Sequence, residues 1–175
     1  LGDAIEAGCA TDAVVAESVA QSRALWHVRE SIPMAQAEEG INIKHDIALP
    51  VSAIDEFVAV TDADLARRFP GVRVIDFGHL GDGNLHYNVQ SPPADRSGPA
   101  DEEWFLGLQP AINLLVHDSV AAFNGSISAE HGLGQLRRDE AARYKSPVEM
   151  ALMQRLKKCF DPLGIMNPGK VLAED

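Results

Sequence analysis

The chain has 175 residues, with 15 Lys and Arg against 26 Asp and Glu, for a formal net charge of −11. Hydrophobic residues make up 46% and charged residues 23%, an ordinary globular composition that excludes disorder as the main state. A chain of this length buries roughly 70% of its unfolded surface and holds a core without covalent staples; one domain is expected, or at most two small ones. The acidic balance speaks against a general nucleic-acid role, which wants a basic surface.

Cys9 and Cys159 are the only cysteines and form no CxxC pair, so both are read as reduced and structural, in keeping with a cytoplasmic location. No apolar run approaches the ~18 residues of a membrane span; a peripheral membrane location stays open. The opening stretch LGDAIEAGCATDAVVAES is acidic and helix-like and lacks the basic start and apolar centre of a signal peptide. It begins without Met, which reads as the cut edge of a longer chain.

In chain order, the spacing of apolar residues predicts a helix over 11–38, capped at Thr11 or Asp12, with Leu25, Val28 and Ile32 on one face and an interruption at Pro33. After Gly40 the alternating run INIKHDIAL predicts a half-buried strand over 41–49. A helix follows near 52–69, then strands over 72–78 and 84–90 joined by the turn residues Gly81, Asp82 and Gly83. Residues 91–101 read as a loop and 102–123 as one long helix stopped at Asn124-Gly125. A glycine-rich bend, SISAEHGLGQLRRDE, leads into a short helix; the last helix covers 146–160, and the Pro- and Gly-punctuated tail is irregular. Few strands and several helices in non-alternating order predict an α+β fold, an antiparallel sheet with helices packed on one face.

The stretch DFGHLGDGNLHYNV carries the chemistry. His79 and His86 flank the turn, and residues on either side of a hairpin turn approach each other across the strands. Two imidazoles placed this way suit a divalent metal, zinc above all. Glu130, in SAEHGLG, offers a carboxylate; two His and one carboxylate leave coordination positions open, as catalytic sites do. His131 follows it directly, and adjacent residues in an extended segment point to opposite sides, so the two are expected to do different jobs. Asn88 shares a strand face with His86 and is a second polar contact. The plainer expectations are an Asx turn at Asp82, an outward Lys44, a solvated or ion-paired Arg29, a solvated pair at Arg137 and Arg138, and core positions for Trp26 and Trp104. Two functions fit the residues alone: a flavin-independent metal hydrolase and a non-catalytic metal- or carboxylate-binding module.

GHLGDGNLHYNV, SAEHGLGQLRRDE and FDPLGIMNPGKVL, with the upstream run WHVRESIPMAQAEEGINIKHDIALPVSAI, resemble the C-terminal domain of FAD-linked oxidases, in the branch of D-2-hydroxyglutarate dehydrogenases, D-lactate dehydrogenases and glycolate oxidases. The resemblance runs from about Ala24 to Leu172. It implies a ferredoxin-like α+β substrate and metal domain over 1–175, working with an N-terminal FAD-binding domain; no stretch of residues 1–70 resembles the family's pyrophosphate-binding loop, and the chain alone is expected to bind FAD weakly or not at all. It implies His79, His86 and Glu130 as ligands of a divalent metal, usually zinc, and His131 as the base beside flavin and substrate. It implies Arg29, Lys44 and Asn88 as contacts to substrate, and Asn167 to Lys170 as the segment running back toward the flavin. The implied reaction oxidises a D-2-hydroxy acid to the 2-oxo acid by hydride transfer to FAD. Expected partners are that small acid, the flavin domain of the same protein and, as an open option, a second copy in a homodimer. One position departs: four residues after the Arg, where the 2-hydroxyglutarate enzymes carry Thr, stands Pro33, with neither hydroxyl nor N–H. This separates the reaction type from the identity of the acid.

Overall fold

A computed structural model describes residues 1–93 and 99–173. The chain falls into two compact units, residues 1–40 and residues from Ile41 onward.

The first unit holds α1 (Gly2–Glu6), α2 (Val19–Glu30) and α3 (Ile32–Glu38). The helix expected from residue 11 begins only at Val19, where the Ser18 side chain accepts from the Gln21 N–H at 3.2 Å. Residues 12–16 include the exposed β-branched pair Val14 and Val15, which neither favour helix nor bury a face. The break falls at Ser31, and Pro33 sits in the first turn of α3, where its missing N–H costs no helical bond. Trp26, expected in the core, is 61% exposed.

The second unit is built on β1 (Asn42–Ala48), β2 (Arg73–His79) and β3 (Asn84–Gln90), with α4 (Ile54–Arg68) between β1 and β2. The sheet order is β1-β3-β2, and β3 is antiparallel to both neighbours. β1, α4 and β2 thus form a split crossover with β3 inserted between its strands. α5 (Pro99–Gly107) and α6 (Gln109–Ala122) follow, and the chain then returns along β1, where Ala48 and Ser126 form an isolated antiparallel bridge. That bridge stands where a ferredoxin-like fold places its fourth strand. α7 (Arg138–Tyr144) and α8 (Pro147–Phe160) close the unit, α8 starting with a complete capping box between Ser146 and Glu149.

Alternation divides the sheet into two faces. Ile43, Ile47, Leu85, Tyr87 and Val89 form the core face with Phe57 and Leu65 of α4 and Ile112, Val116 and Val120 of α6, all of them buried. Phe57 packs edge-on against Tyr87 and Phe123, and Thr61 and Ser119 join α4 to α6 by a 2.7 Å hydrogen bond. Each fully buried large apolar side chain contributes about 1.5–3 kcal/mol, so this face holds the unit together.

The single helix expected over 102–123 is two helices broken at Leu108, because Pro110 lies in the first turn of α6 and cannot donate into a continuous ladder. Part of the loop expected at 91–101 lies outside the described residues, and Pro99 already opens α5. Phe105 is the buried aromatic of α5, while Trp104, expected in the core, is 53% exposed. Cys9 and Cys159 are free, as expected, but both are exposed rather than packed. Among the described residues no helix is long and apolar enough to cross a membrane.

Candidate metal and substrate site

The second face of the sheet carries Lys44, Asp46, His79, Asn84, His86 and Asn88, whose positions follow from the register. His86 pairs with Asp46 of β1 on one side and with Phe77 of β2 on the other; Lys44 pairs with Asn88, and His79 with Asn84. Residues directly opposite project to the same face. His79 and His86 are therefore diagonal neighbours beside the turn rather than a directly facing pair.

The turn is a single helical turn, Leu80–Asp82, closed by Gly83 at φ +80°. A Cβ on Gly83 would lie 2.0 Å from the carbonyl oxygen of Leu49, and the Gly83 carbonyl accepts from the Leu49 N–H at 2.9 Å. Only glycine satisfies both the backbone angle and this approach. Asp82 forms the expected Asx turn, its carboxylate accepting from the Asn84 N–H at 3.0 Å.

Glu130 and His131 arrive on the bend after the Ala48–Ser126 bridge. A Glu130 carboxylate oxygen lies 3.3 Å from His79 Nδ1, and the other lies 3.9 Å from His86 Nε2. The His131 ring stacks on His86 with centroids 5.7 Å apart and planes 23° from parallel, while Phe77 packs near the His86 ring at 5.0 Å. Glu130 and His131 thus reach His86 differently, one at a ring nitrogen and one on the ring face. His79, Glu130 and His131 are exposed and His86 is half-buried. Lys44 is exposed, whereas Asn88, opposite it, is buried.

Asp46 lies outside the histidine hairpin and the Glu-His bend that carry the candidate metal ligands. Its side chain is buried, its Oδ2 accepts from the N–H groups of Glu130 and His131 at 2.8 Å each and of Ala129 at 3.3 Å, and its Oδ1 accepts from Asn84 Nδ2 at 3.2 Å. Burial pushes this carboxyl upward, but the His131 and Glu130 N–H bonds, the His131 ring and the Asn84 amide together hold it below the ordinary carboxylate value. The signal available in the sequence was an Asp inside a strand pattern, where Asp is uncommon, at the same parity as Lys44.

Arg137, expected as a solvated residue at a helix start, is a half-buried clamp. It donates to the carbonyls of Lys44 at 2.7 Å and Ile127 at 3.1 Å, and to His117 Nε2 at 3.1 Å. Arg138 likewise reaches the Gly169 carbonyl at 3.2 Å. On the core face His45 places Nδ1 2.9 Å from the Tyr87 carbonyl and Nε2 3.0 Å from Asn113 Oδ1. Burial lowers His45 to about 4, against the opposing Tyr87 bond and with help from the Arg137 charge. Burial, then the charges of His45 and Arg137, lower His117 to about 3. Both imidazoles are neutral near pH 7.

Asn167 and Lys170 line a cleft of about 530 Å³ between α8 and the tail, together with Arg155, Lys157 and Lys158. The tail is tied to the bend by the Val171 N–H donating to the Gly134 carbonyl at 2.7 Å and by Lys170 Nζ donating to Gln135 Oε1. Of the sequence-predicted residues, the second unit brings together Lys44, His79, His86, Asn88, Glu130 and His131. Arg29 belongs to the first unit, half-buried in the last turn of α2.

Comparison with known proteins places these residues in context. The family model described as "FAD linked oxidases, C-terminal domain" matches residues 1–171. The D-2-hydroxyglutarate dehydrogenase of Stutzerimonas stutzeri is 38% identical over 169 residues, which cover 97% of this chain and 35% of that protein. The mitochondrial D-2-hydroxyglutarate dehydrogenase of Arabidopsis thaliana is 40% identical over 169 residues, covering 96% of this chain and 28% of the relative. The mitochondrial enzyme of that name from Danio rerio is 37% identical over 177 residues, covering 100% of this chain and 31% of its own length. The chain therefore spans about a third of the length of these curated relatives.

Proposed function

The chain belongs to the C-terminal domain family of FAD linked oxidases, and from that premise we propose that it is the substrate- and metal-binding part of a longer FAD-dependent dehydrogenase that oxidises a D-2-hydroxy acid to the 2-oxo acid. The observation that carries this reading is the convergence of His79, His86 and Glu130 on one sheet face beside Lys44 and Asn88.

The donor types, two imidazoles and a carboxylate that lies within 3.9 Å of both, suit a divalent metal. The 3.3 Å between His79 Nδ1 and the Glu130 carboxylate matches the spacing of two ligands around a tetrahedral ion with bonds of about 2.0–2.1 Å. We propose His79, His86 and Glu130 as its ligands, with zinc the first choice for two imidazoles and a carboxylate. Bound, the metal supplies Lewis-acid polarisation of the C2 hydroxyl, and FAD supplies the hydride acceptor. Lys44 and Asn88 hold the carboxylate of the acid, and Arg29 of the first unit is proposed as a substrate contact in its own right. His131, stacked beside His86, takes the hydroxyl proton as the carbonyl forms. Asn167 and Lys170, in the cationic cleft beside the tail, contact the flavin side of the protein.

Two features support a further domain packed against this one. α8 leaves Leu152, Leu156 and Phe160 exposed at helical spacing, and the relatives are about three times as long. The partner we assign is the flavin domain of the same protein; a homodimer and a cytoplasmic location belong to the same proposal, although the Arabidopsis and Danio relatives are named as mitochondrial. The decisive experiment is a dehydrogenase assay of the full-length protein with a panel of D-2-hydroxy acids, combined with metal analysis of His79→Ala and Glu130→Ala. Turnover of a D-2-hydroxy acid and loss of metal in both variants are expected. No turnover with any acid, or unchanged metal content in both variants, overturns the reading.

A further inference from the structure

We infer that Asp46 is a positioning residue that sets the proposed metal site by holding Glu130 and His86 in place, without itself binding the ion; this rests on the reading of His79, His86 and Glu130 as ligands. Among the described residues, the group whose ligand atoms all lie within 4.8 Å of one another is Asp46, His86 and His131, a different candidate set. The hydrogen bonding of Asp46, which commits Oδ2 to the backbone of the bend, favours the positioning role.

A carboxylate offers about four lone-pair sites. Oδ2 of Asp46 accepts from the N–H groups of Glu130 and His131 at 2.8 Å and of Ala129 at 3.3 Å, and Oδ1 accepts from Asn84 Nδ2 at 3.2 Å. Three of those donors saturate Oδ2, while Oδ1, with one donor, stands 3.7 Å from His86 Nδ1; the side chain, 6% exposed, is fixed in that orientation by the bonds to the bend. A buried charge held in this way is stable only while its donors stay. The Glu130 carboxylate is instead aimed at the two imidazoles, 3.3 Å from His79 and 3.9 Å from His86.

The position of Asp46 couples two ligands through one group. Three consecutive N–H groups of the bend point into its carboxylate, which sets the direction from which Glu130 leaves the backbone. The Ala129 N–H is shared with the main-chain carbonyl of Asp46 at 3.2 Å, so the bend is registered on β1 by backbone as well. Asp46 also pairs with His86 in the β1–β3 ladder, and its Oδ1 lies 3.7 Å from His86 Nδ1. His86 thus has a carboxylate behind Nδ1 and the Glu130 carboxylate before Nε2. Partners placed behind metal-binding imidazoles orient the ring and raise its basicity, and their loss typically lowers metal affinity or activity by 10–100-fold.

The test uses full-length protein. Zn²⁺ affinity is measured by calorimetric titration against a competing chelator for wild type, Asp46→Asn and His79→Ala, and Co²⁺ substitution reports coordination geometry by its visible spectrum. Asp46→Asn keeps the shape and removes the charge. It is expected to lower Zn²⁺ affinity by about 10–100-fold, to shift the Co²⁺ bands while leaving the coordination number read from their intensity unchanged, and to lower kcat more than it raises KM for the hydroxy acid; a changed coordination number makes Asp46 a ligand and overturns the inference. Zn²⁺ affinity and Co²⁺ bands equal to wild type in Asp46→Asn, with binding lost in His79→Ala, overturn the role of Asp46 alone. Unchanged binding in His79→Ala overturns the site reading and this inference with it. Should Asp46→Asn fail to fold, amide exchange in the wild type decides. Slow exchange at Glu130 and His131, two exposed residues, supports the clamp, and exchange at the rate of a free loop overturns it.

Discussion

The guanidinium of Arg137 donates to the main-chain carbonyl of Lys44 at 2.7 Å, and the same group reaches the Ile127 carbonyl and His117 Nε2 at 3.1 Å each. One side chain thereby ties β1, the segment leading to Glu130 and helix α6 to the start of α7. The forked geometry is what permits this, because a lysine ammonium is a point charge and cannot span three acceptors in fixed directions.

Arg137→Ala is expected to destabilise the protein by about 2–4 kcal/mol, since it strips partly buried acceptors of their donor. Arg137→Lys is expected to recover less than half of that loss. Urea unfolding of the three proteins measures both. A loss under about 0.5 kcal/mol for the alanine variant, the range of ordinary surface changes, would show that the clamp holds nothing.

The two buried imidazoles make stability depend on pH. His45 is lowered to about 4 and His117 to about 3, both from 6.5, so the unfolded chain takes up protons at these positions before the native one does. Stability from this source is fully present above pH 6.5, falls as pH drops below it, and is lost through the two native values. Each histidine contributes a slope of up to about 1.4 kcal/mol per pH unit within that window. Denaturant midpoints between pH 7 and 4 read the slope. It is expected to flatten in His45→Gln and His117→Gln, and an unchanged slope in both would contradict neutral burial.

Gly83→Ala is expected to cost more than about 2 kcal/mol. The residue sits at φ +80°, and an added Cβ would meet the Leu49 carbonyl oxygen at 2.0 Å. A left-handed angle alone costs an L-residue about 1–2 kcal/mol, and relieving the clash disturbs the 2.9 Å bond from the Leu49 N–H. Because this turn spaces His79 from His86, Zn²⁺ affinity is expected to fall along with the melting temperature. Full retention of both would show that the turn tolerates a different path.

Much of the fold was legible as pattern. The alternation of INIKHDIAL and NLHYNVQ marks the strands β1 and β3 nearly to the residue, and Gly81, Asp82 and Gly83 mark the turn between β2 and β3. The misreadings have local causes. Pro110 breaks a helical run that looks continuous when only apolar spacing is followed. Ser18, rather than Thr11 or Asp12, caps α2. Trp26 and Trp104 are core residues by type, yet both are exposed; a helix periodicity says which residues share a face but not what that face meets.

The residues of the site were chosen from chemistry carried in short motifs: two histidines around a glycine turn, and a Glu-His pair in a glycine-rich bend. Such motifs are local and survive as strings. What brings them together is not local. Glu130 lies 51 residues beyond His79, and the two meet because Asp46, on a third segment, binds the N–H groups of the bend while pairing with His86 across the ladder. Asp46 and Arg137 look like any solvated charge in the string of letters. Burial and the direction of three or more hydrogen bonds turn them into supports, and those exist once strand register has brought distant segments within 3 Å.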